Sequence, residues 1–184
     1  AKRVLGKPAP AFELMNLTGG AQTSGDLKGQ VVVLHFWKYH DNPLTEPYGQ
    51  VAYLDFLHNR REKLGVKVVG VVVDSRIENP AELALVKRDV RKFRDFMNLS
   101  YPIALNSKSL LKDLGDPQTV GAALPLWVVV DHHGKIAHYK AGYYEIHPDK
   151  GLEELDAVVI PLIRQRRAEA IQGSGGGDQG SGKN

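Results

Sequence analysis

Seven consecutive residues, Val31 to Trp37, read VVVLHFW, with no Asp, Glu, Lys, Arg, Gly or Pro among them. An unbroken run of β-branched and aromatic side chains does not alternate between a wet and a dry face. It fits a strand buried on both faces, as in a parallel sheet covered by helices. Val66 to Val73 (VKVVGVVV) repeats the signal. Between the two runs, Val51, Leu54, Leu57 and Leu64 recur at helical spacing with Phe56 alongside, and Gly65 stands where a helix-ending glycine belongs. Strand, helix, strand is therefore the framework around which the rest must be arranged.

The remaining segments extend that order. Phe12 to Leu14 alternates as a short strand, Thr18-Gly19-Gly20 turns, and Ala21 to Thr23 closes a small hairpin. Pro80 opens a helix through Met97 with Leu83, Val86, Val90, Phe93 and Met97 on one stripe. Tyr101 to Leu105 is extended, and Leu110 to Leu114 is a short helix stopped by Gly115. Leu126 to Val130 and Lys135 to Lys140 form two strands around the turn Asp131-His132-His133-Gly134. Gly151 to Ile171 is amphipathic, with Pro161 expected to kink or divide it. From Gly173 the chain reads GSGGGDQGSGKN, a flexible polar tail or linker, so the expected division is a domain over 1–172 and a tail over 173–184. The order implies an α/β fold with a mixed central sheet and helices on both faces.

Composition removes several kinds of chemistry. The chain has 184 residues and no cysteine, which excludes disulfides, thiolate nucleophiles, cysteine zinc sites and iron–sulfur clusters. Lys and Arg number 24 against 21 acidic residues, too even a balance to imply a nucleic-acid partner. The basic run Lys87, Arg88, Arg91, Lys92 and Arg94 reads as a solvated helix face, because no exposed aromatics are interleaved with it. No apolar run approaches the ~20 residues of a membrane span. A start at Ala1, with no apolar leader behind it, raises the expectation of a processed chain or a domain of a longer protein.

Several stretches then resemble one family together. Leu5-Gly6-Lys7-Pro8-Ala9-Pro10-Ala11-Phe12 stands at the start, and Leu27-Lys28-Gly29-Gln30 precedes VVVLHFW. Leu124-Pro125-Leu126-Trp127-Val128-Val129-Val130-Asp131 then precedes Gly134-Lys135-Ile136. In this order they are similar to the thioredoxin-like redoxins of the TlpA/ResA and AhpC/TSA branch, over about residues 4 to 165. The resemblance implies a thioredoxin-like fold with a short N-terminal β-hairpin. It implies a bacterial, extracytoplasmic setting. It also implies that Pro125 is a cis-proline facing the active-site loop and helping to bind extended polypeptide, although Ala123 stands where the family often has Gly. Its reactive cysteines would fall on Asp41 and Leu44, neither of which can attack sulfur. Thiol chemistry therefore does not carry over.

The candidate site is what survives of that loop: a groove of Trp37, Tyr39, His40, Asp41, Leu44, Leu124 and Pro125, expected to take a peptide or protein partner with no cofactor and no metal. Asp41 or Asn42 also suits a helix cap, with Pro43 in the first turn. The alternatives are a non-thiol enzyme using His40, Asp41 and Glu46, with or without a divalent metal, and a structural domain of a larger extracytoplasmic protein. His35, inside a buried strand, is expected to be a hydrogen-bonded core histidine. His132 and His133 are expected to point apart as turn residues rather than act as a metal pair.

Overall fold

The computed structural model describes residues 4–38, 48–105, 107–146 and 151–175. Seven strands form one mixed sheet: β1 (Glu13–Asn16), β2 (Ala21–Thr23), β3 (Val31–Trp37), β4 (Val66–Val72), β5 (Ile103–Leu105), β6 (Leu126–Val130) and β7 (Ile136–Ala141). Their order across the sheet is β2-β1-β5-β4-β3-β6-β7. The pairs β3–β4 and β4–β5 are parallel, and the remaining neighbours are antiparallel. The N-terminal hairpin is therefore one margin of the sheet and the β6–β7 hairpin the other.

The VVVLHFW run is β3, at the heart of the sheet, and all seven of its residues are buried. Side chains of a strand alternate between faces, so one run supplies two cores. Val31, Val33 and Trp37 join the larger core with Val51, Leu54 and Leu57 of α1 (Tyr48–Arg61), Val86, Val90 and Phe93 of α2 (Pro80–Met97), and Leu155, Val159 and Ile163 of α4 (Glu153–Gly175). Val32, Leu34 and Phe36 join the smaller one with Leu110, Leu111 and Leu114 of α3 (Lys108–Leu114). Helices thus cover both faces, three on one and one on the other.

Local signals explain most boundaries. Asn79 accepts a hydrogen bond from Ala81 N–H ahead of Pro80 and so caps α2, and Asn98 ends that helix in the left-handed region at φ 52°. Gly65 closes the turn after α1 at φ 82°. Two expectations fail. Leu64, counted in the apolar stripe, is exposed, because α1 ends at Arg61 and a 3₁₀ turn over Glu62–Leu64 rotates it off the core-facing side. α4 runs undivided through Pro161 and on to Gly175, so the composition break at Gly173 falls in its last turn.

Gly70 of β4 lies in register with His35 of β3. A Cβ placed on it would come 2.8 Å from the Trp37 ring and 3.0 Å from Tyr101. The missing side chain is what lets the two aromatic rings lie against the strand. Gly70→Ala is expected to lower stability by about 1–3 kcal/mol through overpacking, read as a fall in the urea midpoint; an unchanged midpoint would show that Trp37 is not seated on this strand.

Candidate functional site

The C-terminal end of β3 and the segment before β6 come together at one end of the sheet. The Leu124–Pro125 peptide bond is cis, as the resemblance implied. Pro125 is buried and Leu124 half-buried against the smaller core. The Pro125 carbonyl accepts from Gly142 N–H at 2.8 Å, which ties the loop to the end of β7. No hydrogen bond engages the backbone N–H or C=O of Ala123 or Leu124 among the described residues. A cleft of about 440 Å³ opens beside them, bounded by Trp37, Lys38, Gln118 and Tyr143. A larger cleft of about 940 Å³ adjoins it, sharing Lys38 and Gln118 and reaching Ser107 and Lys112.

The expected groove residues divide into two groups. Trp37, Leu124 and Pro125 meet at the cleft, but Trp37 is 2% exposed and forms its floor as a core residue. Tyr39, His40, Asp41, Leu44 and Glu46 lie outside the described residues, as do the candidate cap Asn42 and the first-turn Pro43. Tyr143, at 44% exposure, lines the cleft and was not expected there, and Val120, at 82%, directly precedes the lining residue Gly121. Val120 ends a 3₁₀ turn that Asp116 caps by accepting from Gln118 N–H at 2.9 Å. The sequence signal for that turn is Asp116-Pro117 followed by Gly121.

Beneath the floor, His35 is fully buried between two indoles, with ring centroids 5.4 Å from Trp37 and 4.2 Å from Trp127. It is not the hydrogen-bonded histidine that the sequence suggested: neither ring nitrogen has a partner. The strand register puts Gly70 on one side of it and Trp127 on the other, so no polar group reaches it. Burial lowers its pKa to about 3, which keeps it neutral under the cleft.

At the opposite end of β6, the turn Asp131–Gly134 corrects a second expectation. Asp131 Oδ1 accepts from His133 N–H and Lys135 N–H, each at 2.9 Å, as a hairpin turn requires. The two imidazoles do not point apart, however. Their centroids are 4.1 Å apart and both rings reach Glu169 of α4. Hydrogen bonds from His132 and then His133 hold the Glu169 carboxyl below the usual carboxylate range. Sequence alone could not pair them, since 36 residues separate His133 from Glu169.

The sequence profile of the AhpC/TSA family matches residues 5–139. The chain belongs to the AhpC/TSA family. It is 29% identical over 135 residues to the thiol-disulfide oxidoreductase ResA of Bacillus cereus, covering 73% of this chain and 68% of that one. It is 26% identical over 137 residues to the thioredoxin-like protein YneN of Bacillus subtilis, covering 74% and 71%. Among solved structures, a thiol:disulfide interchange protein of the thioredoxin family from Chlorobium tepidum superposes with a TM-score of 0.64 at 17% identity, over 85% of this chain and 96% of that one. The thioredoxin domain of a thiol-disulfide oxidoreductase from Bacteroides vulgatus gives 0.55 at 24%, over 75% and 89%. The fold is thioredoxin-like, and this AhpC/TSA member carries no cysteine. No helix among its described residues is long and apolar enough to cross a membrane.

Because folded His35 titrates near 3 and an unfolded histidine near 6.5, the unfolded state binds the extra proton between those values. Stability therefore falls as pH drops below about 6.5, by ~1.4 kcal/mol per unit from this group. His35→Leu is expected to remove about 2 kcal/mol of the loss between pH 7 and pH 5 and to raise stability at both, since it deletes a buried polar ring without partners. Urea denaturation at the two pH values checks this; equal pH dependence in both proteins would show that His35 is hydrogen-bonded or accessible in solution.

Proposed function

We propose that this AhpC/TSA-family chain has no thiol redox activity of its own and binds an extended peptide segment of a partner protein in the cleft beside Pro125. The observation that carries the reading is a thioredoxin-like scaffold with a cleft edged by main-chain groups without a partner among the described residues, in a chain without cysteine. Thiol–disulfide exchange proceeds by thiolate attack on sulfur, and Asp41 and Leu44 stand at the positions where the family's cysteines align.

An extended peptide recognised along its backbone needs a donor and an acceptor at the protein edge, and Ala123 and Leu124 offer both, neither engaged by another described residue. Apolar contacts beside them select side chains. Tyr143 is exposed on the rim, with exposed Val120 next in sequence to the lining residue Gly121, and a half-buried Leu124 forms part of the wall. The floor carries no charge, because Trp37 covers a neutral His35. Among the described residues Lys38 is the charged group lining the cleft, which favours a peptide with an acidic residue beside an apolar one over a basic one.

Amide chemical shifts recorded during titration with a panel of extended peptides test this. Saturable shifts are expected at Lys38 and over Gly121 to Leu126. Val120→Asp with Tyr143→Ala is expected to weaken binding at least tenfold, about 1.4 kcal/mol. Shifts centred elsewhere, or affinity unchanged in the double variant, would refute the assignment.

A further inference from the structure

We propose that His132, His133 and Glu169 form a binding site for a divalent transition metal, zinc foremost, at the end of the sheet away from the cleft. The three residues offer two imidazole nitrogens and a carboxylate oxygen, all within 4.8 Å of one another. That is a nitrogen-rich, thiolate-free set. It suits zinc, copper(II) or nickel(II) and disfavours magnesium or calcium, which take oxygen ligands.

The turn organises the donors before any metal arrives. Gly134 N–H donates to the Asp131 carbonyl at 2.9 Å, and Gly134 takes the φ of +80° that a side chain would resist. With Asp131 Oδ1 holding His133 and Lys135, the histidine backbone is fixed, and both rings leave it on the side facing α4. His133 Nε2 lies 2.9 Å from Glu169 Oε2 and 3.2 Å from Oε1, while His132 Nε2 contacts Oε2 more closely. Donor atoms of a tetrahedral centre with bonds of 2.0–2.1 Å stand about 3.3 Å apart. The His133–Glu169 edge already has that spacing, and a small rotation of Glu169, which is partly exposed, opens the other. No Lys or Arg among the described residues forms an ion pair with Glu169. Arg166, one turn earlier, is engaged by the carbonyls of Gly29 and Leu64.

Three protein ligands leave a fourth position for water or an incoming ligand. His133 is 53% exposed at its side chain and His132 only 9%, so the metal would sit at the surface with one ring anchored in the protein. Nothing accepts from His132 Nδ1, which is buried without a partner. The ring thus has no supporting hydrogen bond on the side away from Glu169, and affinity on the order of micromolar is expected, short of a structural zinc site with supported histidines.

The test uses the full chain, untagged and treated with chelator, with zinc chloride as the probe. Isothermal titration is expected to give one equivalent, with ring-nitrogen shifts at His132 and His133. His133→Ala and Glu169→Gln, both at accessible side chains, are each expected to weaken zinc binding at least tenfold while leaving the far-ultraviolet spectrum unchanged. Magnesium is expected to compete at no comparable concentration. Zinc binding unchanged in both variants, ring shifts at other histidines, or fewer than a few tenths of an equivalent at millimolar zinc would overturn the site. Peptide binding at the cleft should be the same with and without zinc, so failure of either proposal is seen separately.

Discussion

Trp37 lying flat over Gly70 is the contact on which the architecture turns. The indole fills the space a side chain at position 70 would occupy, and Tyr101 enters the same space from the segment before β5. This lets β3 and β4 pair in parallel along all seven of their residues while large rings cover the end of the pair. Phe93 of α2 then packs on Trp37 from outside, with centroids 6.4 Å apart. The sheet's central strands and its longest well-packed helix are thus fixed by one ring.

The same ring decides what the cleft can be. With Trp37 buried beneath it and His35 stacked behind, the floor is apolar and uncharged at neutral pH. His35 cannot serve as a base for anything bound above it, since it has no path to solvent and its proton affinity is low. Under the function proposed above, the described part of the cleft serves recognition through the Ala123 and Leu124 main chain, which has no hydrogen-bond partner among the described residues, exposed Tyr143, and Lys38 at the mouth. A thioredoxin-like scaffold without cysteine has no thiolate of its own with which to attack a disulfide.

Legibility in the sequence tracked how local each signal was. VVVLHFW and VKVVGVVV announced buried parallel strands because two-sided burial removes alternation, and Asn79-Pro80 announced α2 because cap and first-turn proline act within one turn. Leu124-Pro125 was readable as a family motif. What failed depended on distant neighbours. His35 lacks partners because Gly70 and Trp127 flank it, and His132 and His133 converge because α4 brings Glu169 to the turn. Periodicity within a strand or a turn carries no information about either. The resemblance implied that the family's cysteine positions fall on Asp41 and Leu44, and both lie outside the described residues.

Pro161 shows how tertiary packing overrides a local rule, and what that leaves exposed. A proline in a helix interior costs ~3 kcal/mol, yet α4 continues because Leu155, Val159 and Ile163 bracket it with fully or nearly buried side chains. Each contributes roughly 1.5–3 kcal/mol on burial, so the core holds the helix on both sides of the break. Beyond Ile163 no described residue of α4 is buried. Its outer turns are kept against the domain by side chains at the surface: Arg166 donating to Gly29 and Leu64, and Glu169 between His132 and His133. Helix ends held by few apolar contacts open at low free energy. A cation bridging Glu169 to the β6–β7 turn would act on the one stretch of the helix that the core does not secure. In a chain without a disulfide, the histidine pair is therefore placed where a cross-link has the most to add.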